Sequence, residues 1–271
     1  MGAFRWRVAC AALLAFSAPW AQALVLAVNE GVTYRVPFEE VRGRYAAIAG
    51  DLSKMLKQPV TVEPVGDYNS LRKGLADKTY DLAIIHPAHV SIQAIKRSGY
   101  RLVAVTRGYQ NYTANFLVRA DSPLKTLAEL KGGKLGAPEE DSITSVMVRA
   151  TLRDAGLQPG QVSMVYTRYQ DAVPFFVENR LTPAGATAAA GVIKEWTGKG
   201  GKVLAKSRPV PIKHIIASPN LTEEQVESVR EYLLSLDATE EGRKKLAPTH
   251  YAGFDRYDQA ALLTLGTWLG L

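Results

Sequence analysis

From residue 24 onward, short apolar runs rich in β-branched residues alternate with stretches whose apolar residues recur every three or four positions. The first kind of segment reads as a strand and the second as an amphipathic helix, so the alternation narrows the chain to an α/β architecture. Leu24 to Asn29 reads as a strand; Phe38, Val41, Tyr45, Ile48, Leu52 and Met55 then mark one helical face, with Pro37 where a first turn tolerates it. Val60 to Val65 reads as a second strand, Asp67 as the cap of a helix running to Ala76, and Tyr80 to Ile85 as a third strand. Parallel neighbours need crossovers that pack on the sheet faces, which predicts a mostly parallel sheet with helices on both sides.

The pattern begins again after Tyr100. Arg101 to Thr106 and Asn115 to Val118 read as strands around the polar and aromatic run Arg107 to Tyr112. Leu127 to Leu130, Lys134 to Ala137 and Ser142 to Ala155 follow as helix, strand and helix, the last closed by Gly156 in the position a C′ glycine takes. Val162 to Tyr166, a helix from Tyr169 to Glu178, a small-residue strand near Ala184 to Ala189, and Val203 to Ala205 complete a second unit. Ile212 to Ala217 reads as a further strand, and Thr222-Glu223-Glu224-Gln225 as a capping box opening a helix to Leu236. No repeat or low-complexity linker separates the units. The expectation is two lobes, one from residues 24–108 and 209–271 and the other from 109–208, joined by two crossover strands that hinge.

Arg5 and Arg7, the apolar run Val8 to Ala18 and the small-x-small Ala21-Gln22-Ala23 have the order of an export signal, which sets an expected leader at residues 1–23. The single cysteine, Cys10, lies inside it, so the exported chain offers no disulfide, thiolate metal site or cysteine nucleophile. Nothing after the leader is apolar enough to meet a bilayer, and no integral membrane protein is expected. The formal charge of +7 falls to +5 without Arg5 and Arg7, a balance that suits a small anionic ligand. Lysines and arginines are scattered without a basic block, which speaks against nucleic acid as a partner.

Several segments carry a resemblance. Asp81-Leu82-Ala83-Ile84-Ile85-His86-Pro87-Ala88-His89 resembles the strand-to-helix element of the periplasmic phosphate-, phosphite- and phosphonate-binding proteins of ABC transporters. Val118 to Gly132 resembles the segment that enters their second lobe, Ser142-Ile143-Thr144-Ser145 their Ser-Thr-Ser-Gly at a helix N-terminus, and Leu234 to Gly242 their closing helices. These segments follow the family's order over nearly all of the exported chain. The resemblance implies a two-lobed type II periplasmic binding protein, exported with cleavage near Ala23, monomeric and without a cofactor. It also implies capture of a small phosphorus oxyanion for delivery to an ABC permease. A receptor kinase in place of the permease, and a lyase of menaquinone biosynthesis on the same fold, are the alternatives. No Ser-His-Asp order, phosphate-binding glycine loop or metal signature supports catalysis, and His86 is the one apparent base.

A helix N-terminus leaves backbone N–H groups unpaired and carries about half a positive charge, so an oxyanion placed there is bonded by main chain and attracted by the dipole. Ser142, Thr144 and Ser145 add hydroxyl donors; the plainer reading is that Ser142 only caps its helix. At most one of Glu139, Glu140 and Asp141 is expected to face a bound dianion, because acids there repel it. Asp141 is the candidate, placed to accept a proton from hydrogen phosphate or phosphonate and to disfavour sulfate. His86 and His89 flank Pro87 at the carboxyl end of a central strand, where open α/β sheets bind ligands. His86 is expected to contact the anion and His89 to be a satisfied interface histidine; metal ranks last because no third ligand has the spacing. Tyr34 and Tyr112 match places where the family turns aromatic hydroxyls toward the ligand. Pro183 to Ala190 holds no acid where aminophosphonate binders grip an ammonium, which favours phosphate, phosphite or methylphosphonate.

Overall fold

The computed structural model describes residues 23–31 and 36–271. The expected leader, apart from Ala23, and Tyr34 lie outside the described residues. β1 (Leu24–Asn29), α1 (Phe38–Leu56), β2 (Val60–Pro64), α2 (Tyr68–Ala76), β3 (Leu82–Ile85), α3 (Ala88–Ser98) and β4 (Arg101–Thr106) build the first unit. The second holds β5 (Asn115–Val118), β6 (Lys134–Pro138), α4 (Ile143–Asp154), β7 (Ser163–Thr167), α5 (Val173–Glu178), β8 (Ala184–Thr187), α6 (Ala190–Gly198) and β9 (Lys202–Lys206). The chain then supplies β10 (His214–Ala217), α7 (Glu223–Ser235), α8 (Glu240–Leu246), β11 (Phe254–Asp255) and α9 (Gln259–Leu269).

Local chemistry explains the boundaries. Asp67 caps α2 by accepting from Ser70 N, and Thr222 with Gln225 closes the expected capping box on α7. Val41, Tyr45, Ile48 and Leu52 of the α1 stripe are buried against the sheet. Phe38 at its head is half exposed and packs beside Gly66. The helix expected from Tyr169 is delayed: a 3-10 turn covers Gln170–Ala172, and α5 starts with Pro174 in its first turn.

The first sheet has the order β11-β4-β10-β3-β1-β2 and the second β7-β6-β8-β5-β9. β1 runs parallel to β2 and β3, and β6 to β7 and β8, as βαβ crossovers require. β10, β4 and β11 pair antiparallel, as do β5, β8 and β9. Each sheet is therefore mixed where a mostly parallel one was expected. The reason is connectivity: the chain leaves the first sheet after β4, returns from the second at β10, and re-enters in the opposite sense. The two connecting segments run side by side, with Val210 N donating to Tyr112 O and Ile212 N to Tyr109 O, both at 3.0 Å.

One core lies between the first sheet and α1 and α7, containing Tyr45, Ile48, Leu52, Val226 and Leu233. A second continues from α3 across to the second unit and includes Ile92, Phe116, Met147 and Leu262. Leu262 belongs to α9, which lies against both α3 and α4.

Candidate functional site

Because β1, β2 and β3 are parallel, their carboxyl ends share one edge, and the turns into α2 and α3 rise from it. The carboxyl ends of β6 and β7 lead likewise into the start of α4 and into Arg168. These edges border a cavity of about 550 Å³ lined by Gly66, Asp67, Tyr68 and Asn69 on one side and Glu139, Asp141, Tyr166, Thr167 and Arg168 on the other. Arg168 lies with its guanidinium 5.4 Å from the Tyr169 ring centre and makes no ion pair among the described residues.

The strongest contact across the gap belongs to Asp141. Arg72 on α2 donates to it with both guanidinium nitrogens, Nη1 to Oδ2 at 2.8 Å and Nη2 to Oδ1 at 2.7 Å. His89 Nε2 lies 3.2 Å from Oδ1. Burial opposes the charge on Asp141, but the hydrogen bonds from His89 and Arg72 outweigh it and hold the carboxyl well below its ordinary range. His89 is 2% exposed, and burial holds its imidazole below the usual value despite the Asp141 bond. It is the interface histidine expected, its Nε2 reaching the other lobe, but it is only partly satisfied, since its Nδ1 has no partner among the described residues.

The start of α4 is arranged differently from an open ring of hydroxyls. Ser142 Oγ accepts from Ser145 N and caps the helix. Ser145 and Thr144 are fully buried; Ser145 Oγ donates to Pro138 O at 2.7 Å, and Thr144 Oγ1 lies 2.8 Å from the Tyr112 hydroxyl. Gln170 Nε2 donates to the same hydroxyl at 2.9 Å, while Gln170 Oε1 accepts from Ala188 N at 2.8 Å. Buried polar groups must pair, and here they pair within the second lobe. The pairing ties the crossover carrying Tyr112 to the starts of α4 and α6. Ser145→Ala is expected to lower unfolding free energy by about 1–3 kcal/mol through the orphaned Pro138 carbonyl, as read by urea denaturation; an unchanged midpoint would mean that carbonyl finds another donor.

His86 follows β3 on the facing lobe, its Cδ2 packed so close to Gly31 that an added Cβ there would sit 2.9 Å away. Its Nδ1 is buried without a hydrogen-bond partner among the described residues. Burial and the nearby Lys213 charge push its pKa down to about 3, which keeps the ring neutral. The turn after it opens α3 at Pro87 with no side-chain cap. Of the expected residues, Asp141 lines the 550 Å³ cavity; Ser142, Thr144, Ser145, Tyr112 and His86 are not among its lining residues. Arg72 and Lys213 escaped sequence reading. Arg72 pairs over 69 residues and leaves no local signal. Lys213 left one, a lysine set inside the apolar run Val210 to Ile216.

The Ser91–His214 pair is not placed for chemistry. Ser91 Oγ lies 2.5 Å from His214 Nδ1, but both residues are fully buried and His214 Nε2 is bonded to Pro211 O at 3.0 Å. Among the described residues, no group of three His, Cys, Asp or Glu is placed to hold a metal ion, and no helix is long and apolar enough to cross a membrane.

The family described as "ABC transporter, phosphonate, periplasmic substrate-binding protein" matches residues 31–262. The chain belongs to this family. The phosphonate-type binding proteins are solute-binding components of transporters, which gives the molecule a small ligand and a permease partner. No curated protein matches the sequence. Solved structures share the fold at low identity. XAC2383 from Xanthomonas citri bound to ATP is 15% identical with a TM-score of 0.74, over 92% of this chain and 98% of its own. PhnD1 from Prochlorococcus marinus in complex with methylphosphonate is 17% identical with a TM-score of 0.64, over 91% and 96%. The aliphatic sulphonate-binding protein SsuA from Escherichia coli is 16% identical with a TM-score of 0.54, over 90% and 89%. They establish the two-lobed type II architecture for this binding protein.

Proposed function

We propose that the protein captures a small phosphorus oxyanion, phosphate, phosphite or an alkylphosphonate, between its lobes and presents the closed form to an ABC permease. The observation that carries the reading is the meeting, at one gap, of helix starts from both lobes: α2 and the uncapped α3 from one, α4 from the other. Main-chain N–H groups and aligned dipoles from two sides favour an oxyanion held between them. The contacts supplied are the Ser142 to Ser145 turn, with Thr144 and Tyr112 fixing its geometry, and His86 opposite; Tyr34 is kept as a further contact. Asp141 confers selectivity through the acceptor capacity that Arg72 leaves it: a protonated oxyanion can donate to the carboxylate, whereas sulfate has no proton to give. Closure follows from differential affinity, since both helix starts reach the ligand only when the lobes meet.

A larger phosphorylated ligand is the second reading. The cavity exceeds what a bare oxyanion fills, and Tyr68, Tyr166 and Arg168 border it; XAC2383 is bound to ATP. Thermal melting of ligand-stripped protein with phosphate, phosphite, methylphosphonate, ATP, sulfate and an alkanesulfonate separates these. A phosphorus oxyanion at a hundredfold excess over Kd is expected to add ~2.7 kcal/mol, a rise of roughly 5–10 °C. A rise with ATP alone selects the second reading, and one confined to sulfate or the sulfonate overturns both.

A further inference from the structure

Among the described residues, Lys213 is a cation without an ion-pair partner, at the edge where the first sheet receives the chain back from the second lobe. The antiparallel register of β10 and β3 pairs His214 with Ile85, which sets Lys213 opposite His86. Strand alternation sends the His214 ring to Ser91 on α3 and the Lys213 side chain to the other face. There Nζ lies 4.0 Å from the Tyr109 ring centre and 4.8 Å from that of Tyr251. Among the described residues Nζ has no hydrogen bond and no carboxylate within 4 Å. Glu30, the acid in electrostatic reach, is committed to Arg44 at 2.6 Å and to the Tyr45 hydroxyl at 2.9 Å. Burial and the Arg44 charge both act to lower the Lys213 pKa, with Glu30 opposing.

Ring faces hold an ammonium in place but accept little from its three N–H donors. A half-buried ammonium whose donors lack an acceptor is costly unless something supplies one. Beside it stands His86, whose Nδ1 is buried and has no hydrogen-bond partner among the described residues. Gly31, which packs against the His86 ring, lines with Glu30 a cavity of about 260 Å³, and Gly66 and Asp67 border both that cavity and the 550 Å³ one. Resting on the oxyanion reading above, we infer that Lys213 and His86 form the recognition point for a charged phosphoryl oxygen of the ligand. Lys213 Nζ supplies the charge and His86 Nδ1–H the directional donor. Arg72 and Arg168, two other cations near the gap, do not compete for this role, because Arg72 is neutralised by Asp141 and Arg168 lies on the second lobe.

Isothermal titration of wild type, Lys213→Gln, Lys213→Arg and His86→Gln with inorganic phosphate, methylphosphonate and ATP tests this. For whichever probe the wild type binds, Lys213→Gln is expected to weaken affinity about tenfold to hundredfold, the worth of one charge-assisted hydrogen bond. Lys213→Arg should stay within a few-fold of wild type and His86→Gln fall between. Equal affinity in Lys213→Gln overturns the inference and leaves the oxyanion reading standing, whereas a wild type that binds no probe overturns both. If Lys213→Gln does not fold, the NMR signal of ¹³C-dimethylated Lys213, assigned by its loss in Lys213→Arg, replaces it. A signal unmoved by saturating probe overturns the inference.

Discussion

A chain ending at Tyr257 is expected to melt roughly 10–20 °C below the full protein and to scatter X-rays as a more open particle. The missing helix α9 buries Leu262 completely and Leu269 to 4% exposure, and two such side chains contribute about 3–6 kcal/mol through area removed from water. Gly266 lets α9 press on α3, since a Cβ there would lie 2.5 Å from Ile92 Cγ2. The same helix is fastened to α4. Arg153 Nη2 donates to Trp268 O at 2.7 Å, Trp268 Nε1 donates to Asp154 Oδ2 at 2.9 Å, and Arg208 lies 5.3 Å over the Trp268 ring. α3 and α4 are the helices whose starts face each other across the gap, so α9 fixes their separation from behind. Gly266→Val should reproduce part of the loss by forcing α9 off α3. Differential scanning calorimetry and small-angle scattering read both outcomes; unchanged melting together with an unchanged radius of gyration would show that α9 braces nothing.

Periodicity carried most of the fold and little of the site. The α1 stripe named its buried face correctly at Val41, Tyr45, Ile48 and Leu52, because a surface helix must turn its apolar positions to a core. It failed at Phe38, which has the right spacing yet lies at the rim beside Gly66, where spacing cannot tell core from mouth. Caps were legible for the same local reason: Asp67 and Thr222 act within three residues of themselves. Strand direction was not. A strand reads alike in either sense, and β10 and β5 run antiparallel because of where the crossovers re-enter. Thr144 and Ser145 were legible as polar residues at a helix start but not as buried ones, since their partners Tyr112 and Pro138 are set by tertiary packing. Arg72, Asp141 and His89 meet from three elements, and no spacing rule joins positions so far apart.

Acidification from pH 7 to pH 4 is expected to remove on the order of 3 kcal/mol of stability through His214 alone. Burial pushes the His214 pKa down to about 4, with its Pro211 carbonyl bond opposing, and His214 is fully buried. The unfolded chain takes up this proton near pH 6.5 and the folded chain only near 4, so the unfolded state binds more protons between them. Stability is then complete above pH 6.5 and falls as pH drops toward 4. His86, held neutral down to about 3 by burial and by Lys213, acts in the same direction. Asp141 adds to it below the ordinary carboxylate range, since its ionised form is the one Arg72 and His89 stabilise. Urea midpoints at pH 7.5, 5.5 and 4.5 should fall steeply for the wild type and less steeply for His214→Gln, whose amide does not titrate. Parallel curves for the two proteins would mean that the buried imidazole is not what acid attacks. The consequence reaches the gap itself: Lys213 immediately precedes His214, the first residue of β10, and protonating the histidine strains the strand into which the lysine leads.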